Sequence, residues 1–273
     1  MNRYTGKTLL LEITMVVLAI VFAIPFYLIV NVAFQSPNTT GSGVTFSWPP
    51  NFDNVQIAWV QGGLGAAILN SVVVTVISTF CVIAVSSLAS YYLARTLSRV
   101  SRAWNIAFLL GLMLPLQLAT LPLYAMIRDL GLLGTVWSLV LVYSAMYLPF
   151  SIFLYVLFIR ALPIDFEEAA QLDGCGPLRV FWHIALPLTR PVTITIAILV
   201  GIAIYNDFFT PLLYLAGSGQ ETAPVAINAF VSQYSTPWPV VFAGLLLLSI
   251  PILAAFFALQ KQVIGGFAGG LKG

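Results

Sequence analysis

Charged residues are what this chain has least of. Asp, Glu, Lys and Arg make up 7% of 273 residues, while 60% are hydrophobic. A soluble domain carries about 25% charged residues, so a soluble fold is excluded. A mean hydropathy of +1.00 implies that most of the surface faces lipid. Histidine is nearly absent. His183 stands alone, which excludes a His-based metal site and leaves it as an exposed loop residue. Cysteine is scarce as well. Cys81 falls in an apolar run and Cys175 in a polar loop, poorly placed to pair, so no disulfide is expected. No fixed-period repeat and no low-complexity tract occurs. Gly6-Lys7-Thr8 matches the end of a phosphate-binding loop, but its leading glycine would fall on Met1 with no strand before it, so this chain is not expected to bind ATP.

What is present is a set of six apolar runs: Leu9–Phe34, Ala66–Ala94, Ala103–Ile127, Leu132–Arg160, Val192–Ala216 and Val240–Gln260. Each approaches or exceeds the ~20 residues that cross a bilayer. Helix is the expected form, because a lone spanning segment must satisfy its own backbone. Pro25, Pro115, Pro122, Pro149, Pro211 and Pro251 lie within these runs and are tolerated there with kinks. The expectation is an all-α membrane protein of six transmembrane helices forming a single domain over residues 1–273. Arg3 and Lys7 precede the first run as in a signal peptide. No clean small-residue cleavage site follows, so an uncleaved span is expected.

Basic residues orient the chain. Arg3, Lys7, Arg95, Arg99, Arg102, Arg160, Arg179, Arg190, Lys261 and Lys272 fall on one side of a six-span arrangement, and Arg128 alone on the other. The positive-inside rule then places both termini and the loop 161–191 in the cytoplasm. Segments 35–65 and 217–239, free of Lys and Arg, are external. Trp48, Trp59, Trp104, Trp137 and Trp238 sit near span ends, as an aromatic belt would have them. A net charge of +2 reflects this orientation and gives no sign of nucleic-acid binding.

The loop 161–191 has its own grammar. Pro163 closes the fourth span. Asp165 reads as an N-cap, with Glu168 three residues on as in a capping box, opening a short helix over 166–173. Gly174 or Gly176 can take the left-handed conformation that ends it. Pro177 suits the first turn of a second helix, on which Phe181 and Ile184 share an apolar face. Pro187 and Pro191 stop that helix before the fifth span. A helix, a glycine turn and a helix form an elbow held in water. A merely amphipathic loop on the membrane surface is the plainer reading.

Glu168-Ala169-Ala170, Asp173-Gly174 and Ile184-Ala185-Leu186-Pro187 reproduce, in type and spacing, the EAA loop of permease subunits of bacterial ABC importers. Cys175 stands where that family usually has alanine. Tyr205-Asn206-Asp207-Phe208 with Pro211-Leu212 resembles a Trp-Asn-Asp-Phe segment of the carbohydrate-importer subgroup, with Tyr205 replacing Trp. The ending Gln260-Lys261-Gln262 through Gly265-Gly266-Phe267-Ala268-Gly269-Gly270-Leu271-Lys272-Gly273 is similar to the glycine-rich tail of MalG-like subunits. The resemblance runs over essentially the whole chain.

The resemblance implies a type I ABC importer permease fold in the bacterial inner membrane. It implies a sugar-importer subunit that forms half of a translocation path and is no enzyme itself. The loop becomes a coupling helix: Glu168, Ala169, Ala170, Asp173, Gly174, Phe181, Ile184, Leu186 and Pro187 serve the ATPase contact. Gly265, Gly266, Gly269, Gly270 and Lys272 form a tail that also reaches the ATPase. The implied partners are a second homologous permease, two ATPase subunits, an extracytoplasmic sugar-binding protein and membrane lipid. ATP and Mg bind the ATPase, and no cofactor is expected on this chain.

Asp207 is the one acidic residue near the middle of a run. Facing lipid it would cost roughly 2.5–3.5 kcal/mol. Either it lines a path with Asn206, or it is a buried carboxylate held at a helix break near Pro211. Two other functions stay open. The same machinery could carry another solute, such as a glycerol-phosphate or an oligopeptide, although the spans offer almost no cation for an anionic cargo. A secondary transporter would need several intramembrane ionisable groups, and here there is Asp207 and marginally Glu12. A membrane enzyme would need an acid–base or metal constellation, which is not visible.

Overall fold

The computed structural model describes residues 6–36, 43–234 and 237–269. Among them every regular element is helical and no strand occurs. In chain order the helices are α1 (Gly6–Ala33), α2 (Asp53–Val60), α3 (Leu64–Arg95), α4 (Arg99–Met113), α5 (Thr120–Asp129), α6 (Val136–Ala161), α7 (Asp165–Leu172), α8 (Pro177–Val180), α9 (Leu186–Leu188), α10 (Arg190–Asn206), α11 (Phe209–Leu215), α12 (Ala223–Tyr234) and α13 (Trp238–Gly269). Four helices among the described residues are long and apolar enough to cross a membrane: α1, α3, α6 and the Trp238–Ala258 part of α13. A fifth candidate is the pair Pro177–Leu188 and Arg190–Asn206, bent by 70°.

Two of the six expected spans are interrupted. The run 103–127 divides into α4, a 3-10 turn at Leu116–Ala119 and α5. Leu114 leaves the helix with ψ 126° because the following Pro115 disfavours helical backbone before it. Ser98 starts α4 by accepting the Ser101 N–H at 3.0 Å, a side-chain cap. The run 192–216 is cut at Asp207, where ψ is 130°. At the other end α13 continues to Gly269, nine residues past the expected span end at Gln260. Segments 35–65 and 217–239, read from sequence as connections, hold α2 and α12.

The chain divides into two compact units. Unit one comprises residues 1–66 and 226–250. Its α1 is exposed along nearly its whole length, with only Asn31, Val32 and Ala33 buried. Asn31 latches the chain that follows. It donates to the carbonyls of Gly43 (2.7 Å) and Thr45 (2.9 Å) and accepts the Ser47 N–H (3.2 Å). Asn54 on α2 donates to the carbonyls of Ala33 and Gln35 at 2.9 and 2.7 Å. Gly244 lies so close to Ile227 and Leu64 that a methyl there would meet them at 2.9 Å.

Unit two comprises residues 67–225 and 251–273. Its core is centred on α6, which contributes Leu139, Val142, Tyr143, Ile152, Tyr155, Val156 and Ile159. The α10 set Val192, Ile196, Val200 and Ile204 recurs every four residues, so one face of that helix points inward. Val74, Val82, Leu93 and Ala94 of α3, Ile127 of α5, and Tyr214 and Leu215 of α11 belong to the same core. Ser90 of α3 donates to the Ile152 carbonyl of α6 at 3.2 Å.

Candidate functional site

The elbow between α6 and α10 lies wholly in unit two. Its first limb is α7. The helix begins one residue earlier than expected, and Asp165 is not its cap. The Glu167 and Glu168 N–H groups donate instead to the Ile164 carbonyl at 2.8 and 3.1 Å. The capping box therefore does not form, because Ile164 already has helical backbone. Asp165, Glu167 and Glu168 still crowd the first turn, where the helix dipole favours negative charge.

The turn is made by Gly174, at φ +82°. Its N–H donates to the Gln171 carbonyl (3.0 Å) and the Cys175 N–H to the Ala170 carbonyl (3.0 Å). This pair of bonds is a Schellman motif, which needs a left-handed residue at its centre. Gly176 is extended, and Pro177 opens the second limb at a position where no N–H is required.

That limb contains a π turn over Phe181–Ala185. The Leu186 N–H reaches back five residues to Phe181. Pro187 explains the widened turn. Its ring would press on the His183 carbonyl in a regular helix, and the extra residue relieves it. The limb ends at Leu188, between Pro187 and Pro191 as expected, and the chain bends at Thr189. A chain of hydroxyls ties the bend to α6. Tyr155 donates to Thr193 Oγ1 at 2.8 Å, Thr193 to the Thr189 carbonyl at 3.0 Å, and Thr189 to the Leu186 carbonyl at 2.9 Å.

The residues singled out by sequence divide by exposure. Glu168, Ala169, Asp173, Gly174 and Pro187 are exposed, while Ala170, Ile184 and Leu186 are half-buried. Phe181 does not share an outer face with Ile184. It is 3% exposed, its ring 5.4 Å from that of Tyr91. The outer apolar surface is carried by residues the motif does not name: Phe166, Leu172, Leu178 and Trp182, with Leu172 90% exposed. Sequence reasoning also missed Glu167. It is 4% exposed and paired with Arg95 at the end of α3, Nη2 to Oε1 at 2.7 Å. A carboxylate beside the motif's own glutamate, and an arginine noted only for topology, were the available signals.

A second polar site lies at the break between α10 and α11. Asp207 Oδ2 accepts from Tyr143 OH at 2.9 Å. Its Oδ1 accepts the Phe209 N–H at 3.0 Å and the Thr210 N–H at 3.5 Å. Asp207, half-buried, thus ends one helix and holds the first turn of the next. Asn206 is exposed and donates to the Ile202 carbonyl at 2.9 Å. Neither residue lines the nearby apolar groove of about 640 Å³ between α3, α10 and the last part of α13, which Thr75, Thr79, Gly201, Tyr205 and Phe256 border. The Thr75 and Thr79 hydroxyls have no hydrogen-bond partner there. Of the expected tail, Gly265, Gly266 and Gly269 belong to α13. Gly270 and Lys272 lie outside the described residues.

Comparison with known proteins bears on the whole chain. Residues 83–264 match the model of the family described as binding-protein-dependent transport system inner membrane component. The chain is 32% identical over 248 residues to the melibiose/raffinose/stachyose import permease protein MelC of Bacillus subtilis, covering 90% of each. It is 31% identical to the probable starch degradation products transport system permease protein AmyC of Thermoanaerobacterium thermosulfurigenes, covering 99% of this chain and 98% of that one. It is 31% identical to the trehalose transport system permease protein SugB of Mycobacterium tuberculosis, covering 92% of each. Among solved structures, a chain of a bacterial ABC transporter involved in import of the acidic polysaccharide alginate superposes with a TM-score of 0.80 at 21% identity, over 96% of this chain and 99% of that one. That likeness establishes the fold.

Proposed function

Since the chain belongs to the family of binding-protein-dependent transport system inner membrane components, we propose that it is the permease subunit of an ATP-driven importer of neutral sugars. The observation that carries the reading is the elbow. A rigidly turned helix–glycine–helix presents Leu172, Leu178 and Trp182 outward beside a sequence that matches the EAA pattern. Apolar side chains this exposed on a charge-bearing loop are suited to a partner's groove. In this reading that partner is one of two ATPase subunits, which hold ATP and Mg. Glu168, Ala169, Ala170, Asp173 and Gly174 form its contact limb. Phe181 anchors the second limb from within, Ile184, Leu186 and Pro187 lie along it, and the tail from Gly265 through Gly269 to Lys272 adds a further contact.

The remaining assignments follow from the same reading. In this reading the interrupted runs 103–127 and 192–216 each serve as one span beside the four unbroken ones, with both termini cytoplasmic and the whole chain one permease domain. A second homologous permease supplies the other half of the path. An extracytoplasmic binding protein delivers the sugar to segments 35–65 and 217–239. Sugar is favoured as cargo because MelC, AmyC and SugB are all named for saccharides, and because Lys and Arg are almost missing from the spans. ATP-driven closure would shift a two-state path between inward-facing and outward-facing forms.

A mild-detergent pull-down through an N-terminal tag tests this, with co-purifying chains identified by mass spectrometry. An ATPase, a second permease and a sugar-binding protein are the expected companions. Recovery of this chain alone, in a preparation still active for uptake, would overturn the proposal.

A further inference from the structure

The elbow joins two helices through the chain itself: α6 before it and α10 after it. The structure gives it a third attachment, to α3, which ends at Arg95. Arg95 donates Nη2 and Nε to Glu167 Oε1 at 2.7 and 2.9 Å, and Nη2 also to the Leu162 carbonyl at 3.3 Å. Tyr91, one turn earlier on α3, donates to the other oxygen, Oε2, at 3.0 Å. Both oxygens of Glu167 are therefore held. The pair is shielded, with side chains 16% and 5% exposed. The Tyr91 ring then packs on Phe181 of the second limb. One turn of α3 grips both limbs of the elbow.

Resting on the reading that the elbow docks an ATPase, we propose that Glu167, Arg95 and Tyr91 are positioning residues that carry the ATPase-driven movement of the elbow directly into α3. Neighbouring residues on a helix point about 100° apart. Glu168 thus faces outward and stays free for a partner, while Glu167 faces inward and anchors. An exposed ion pair would be too weak and too mobile for this work. A shielded, charge-assisted fork has both the strength and the fixed direction. The helix it moves borders the groove with Thr75 and Thr79, so a shift of the elbow reaches that groove through α3 without passing through α6 or α10.

The test is uptake per ATP hydrolysed, measured in proteoliposomes holding the assembled complex. Arg95→Ala leaves the outer surface of the elbow untouched, so the ATPase still binds and still hydrolyses ATP. Uptake per ATP falls on the order of tenfold, within the range that coupling residues command. Arg95→Lys keeps the charge but loses the fork and falls between Ala and wild type. Tyr91→Phe loses a single hydrogen bond and falls least. A merely structural role would lower the amount of complex and leave the ratio alone. Should Arg95→Ala fail to assemble, the ratio of the Arg95→Lys complex decides. Wild-type ratios in these complexes overturn the clamp and leave docking standing. Failure of the ATPase to bind even the unaltered chain overturns the docking reading beneath it.

Discussion

Replacing Gly174 by alanine isolates the geometry of the elbow from its contacts. The residue sits at φ +82°, and no atom lies within 4 Å of the position a methyl would occupy. Steric crowding is therefore not added, and the cost is that of a left-handed L-residue, roughly 1–2 kcal/mol. A change of that size shifts the turned elbow's population by a factor of about 5–30. Titrating the ATPase against purified permease in detergent should raise the half-saturation point by up to that factor, since the apparent Kd scales inversely with the turned fraction. Gly174→Asn should move it less, since asparagine tolerates this region through local hydrogen bonds. Gly174→Pro should abolish docking. It cannot reach a positive φ and loses the N–H that bonds Gln171. All three should still insert, because no span is touched. Wild-type binding by Gly174→Ala, or binding by Gly174→Asn weaker than by Gly174→Ala, would refute the reasoning.

Leu172→Glu should leave thermal stability within about 0.5 kcal/mol of wild type, as surface changes do, yet remove the ATPase from a pull-down. Asp207→Ala takes the carboxylate acceptor from the fully buried Tyr143 hydroxyl, leaving it only the Thr210 side chain, and should cost about 1–3 kcal/mol in detergent unfolding. Tyr143→Phe leaves Asp207 its two N–H donors and should cost only about 1 kcal/mol in the same measurement. Ser98→Ala removes the cap of α4 and should cost about 1 kcal/mol in the same assay.

Much of the elbow was legible because its signals are local. Gly174 and Pro177 each act through their own backbone, and a glycine turn followed by a proline start reads the same in a sequence as in space. The apolar runs were legible for a similar reason, since length and composition decide them. The interruptions were harder. Pro115 and Pro211 announce that a kink is possible, but a carboxylate 64 residues from Tyr143 decides how the second break is held. Asp165 misled because a good capping residue counts only where the backbone has not yet turned helical, and Ile164 already had. The Glu167–Arg95 pair joins residues 72 apart. No spacing rule reaches that far, so the inward glutamate was hidden behind its more recognisable neighbour.

The π turn has a consequence for chain length. Loops commonly tolerate insertions and deletions. Here the extra residue is wound into the helix at Phe181–Ala185. Removing one residue between Pro177 and Leu188 would rotate everything beyond it by about 100°. The four-residue rhythm of Val192, Ile196, Val200 and Ile204 would then swing out of the core. The count of residues from Gly174 to Pro187 is thus fixed by rotational phase as well as by any partner. In a family of such chains this stretch should vary in residue identity far more freely than in length.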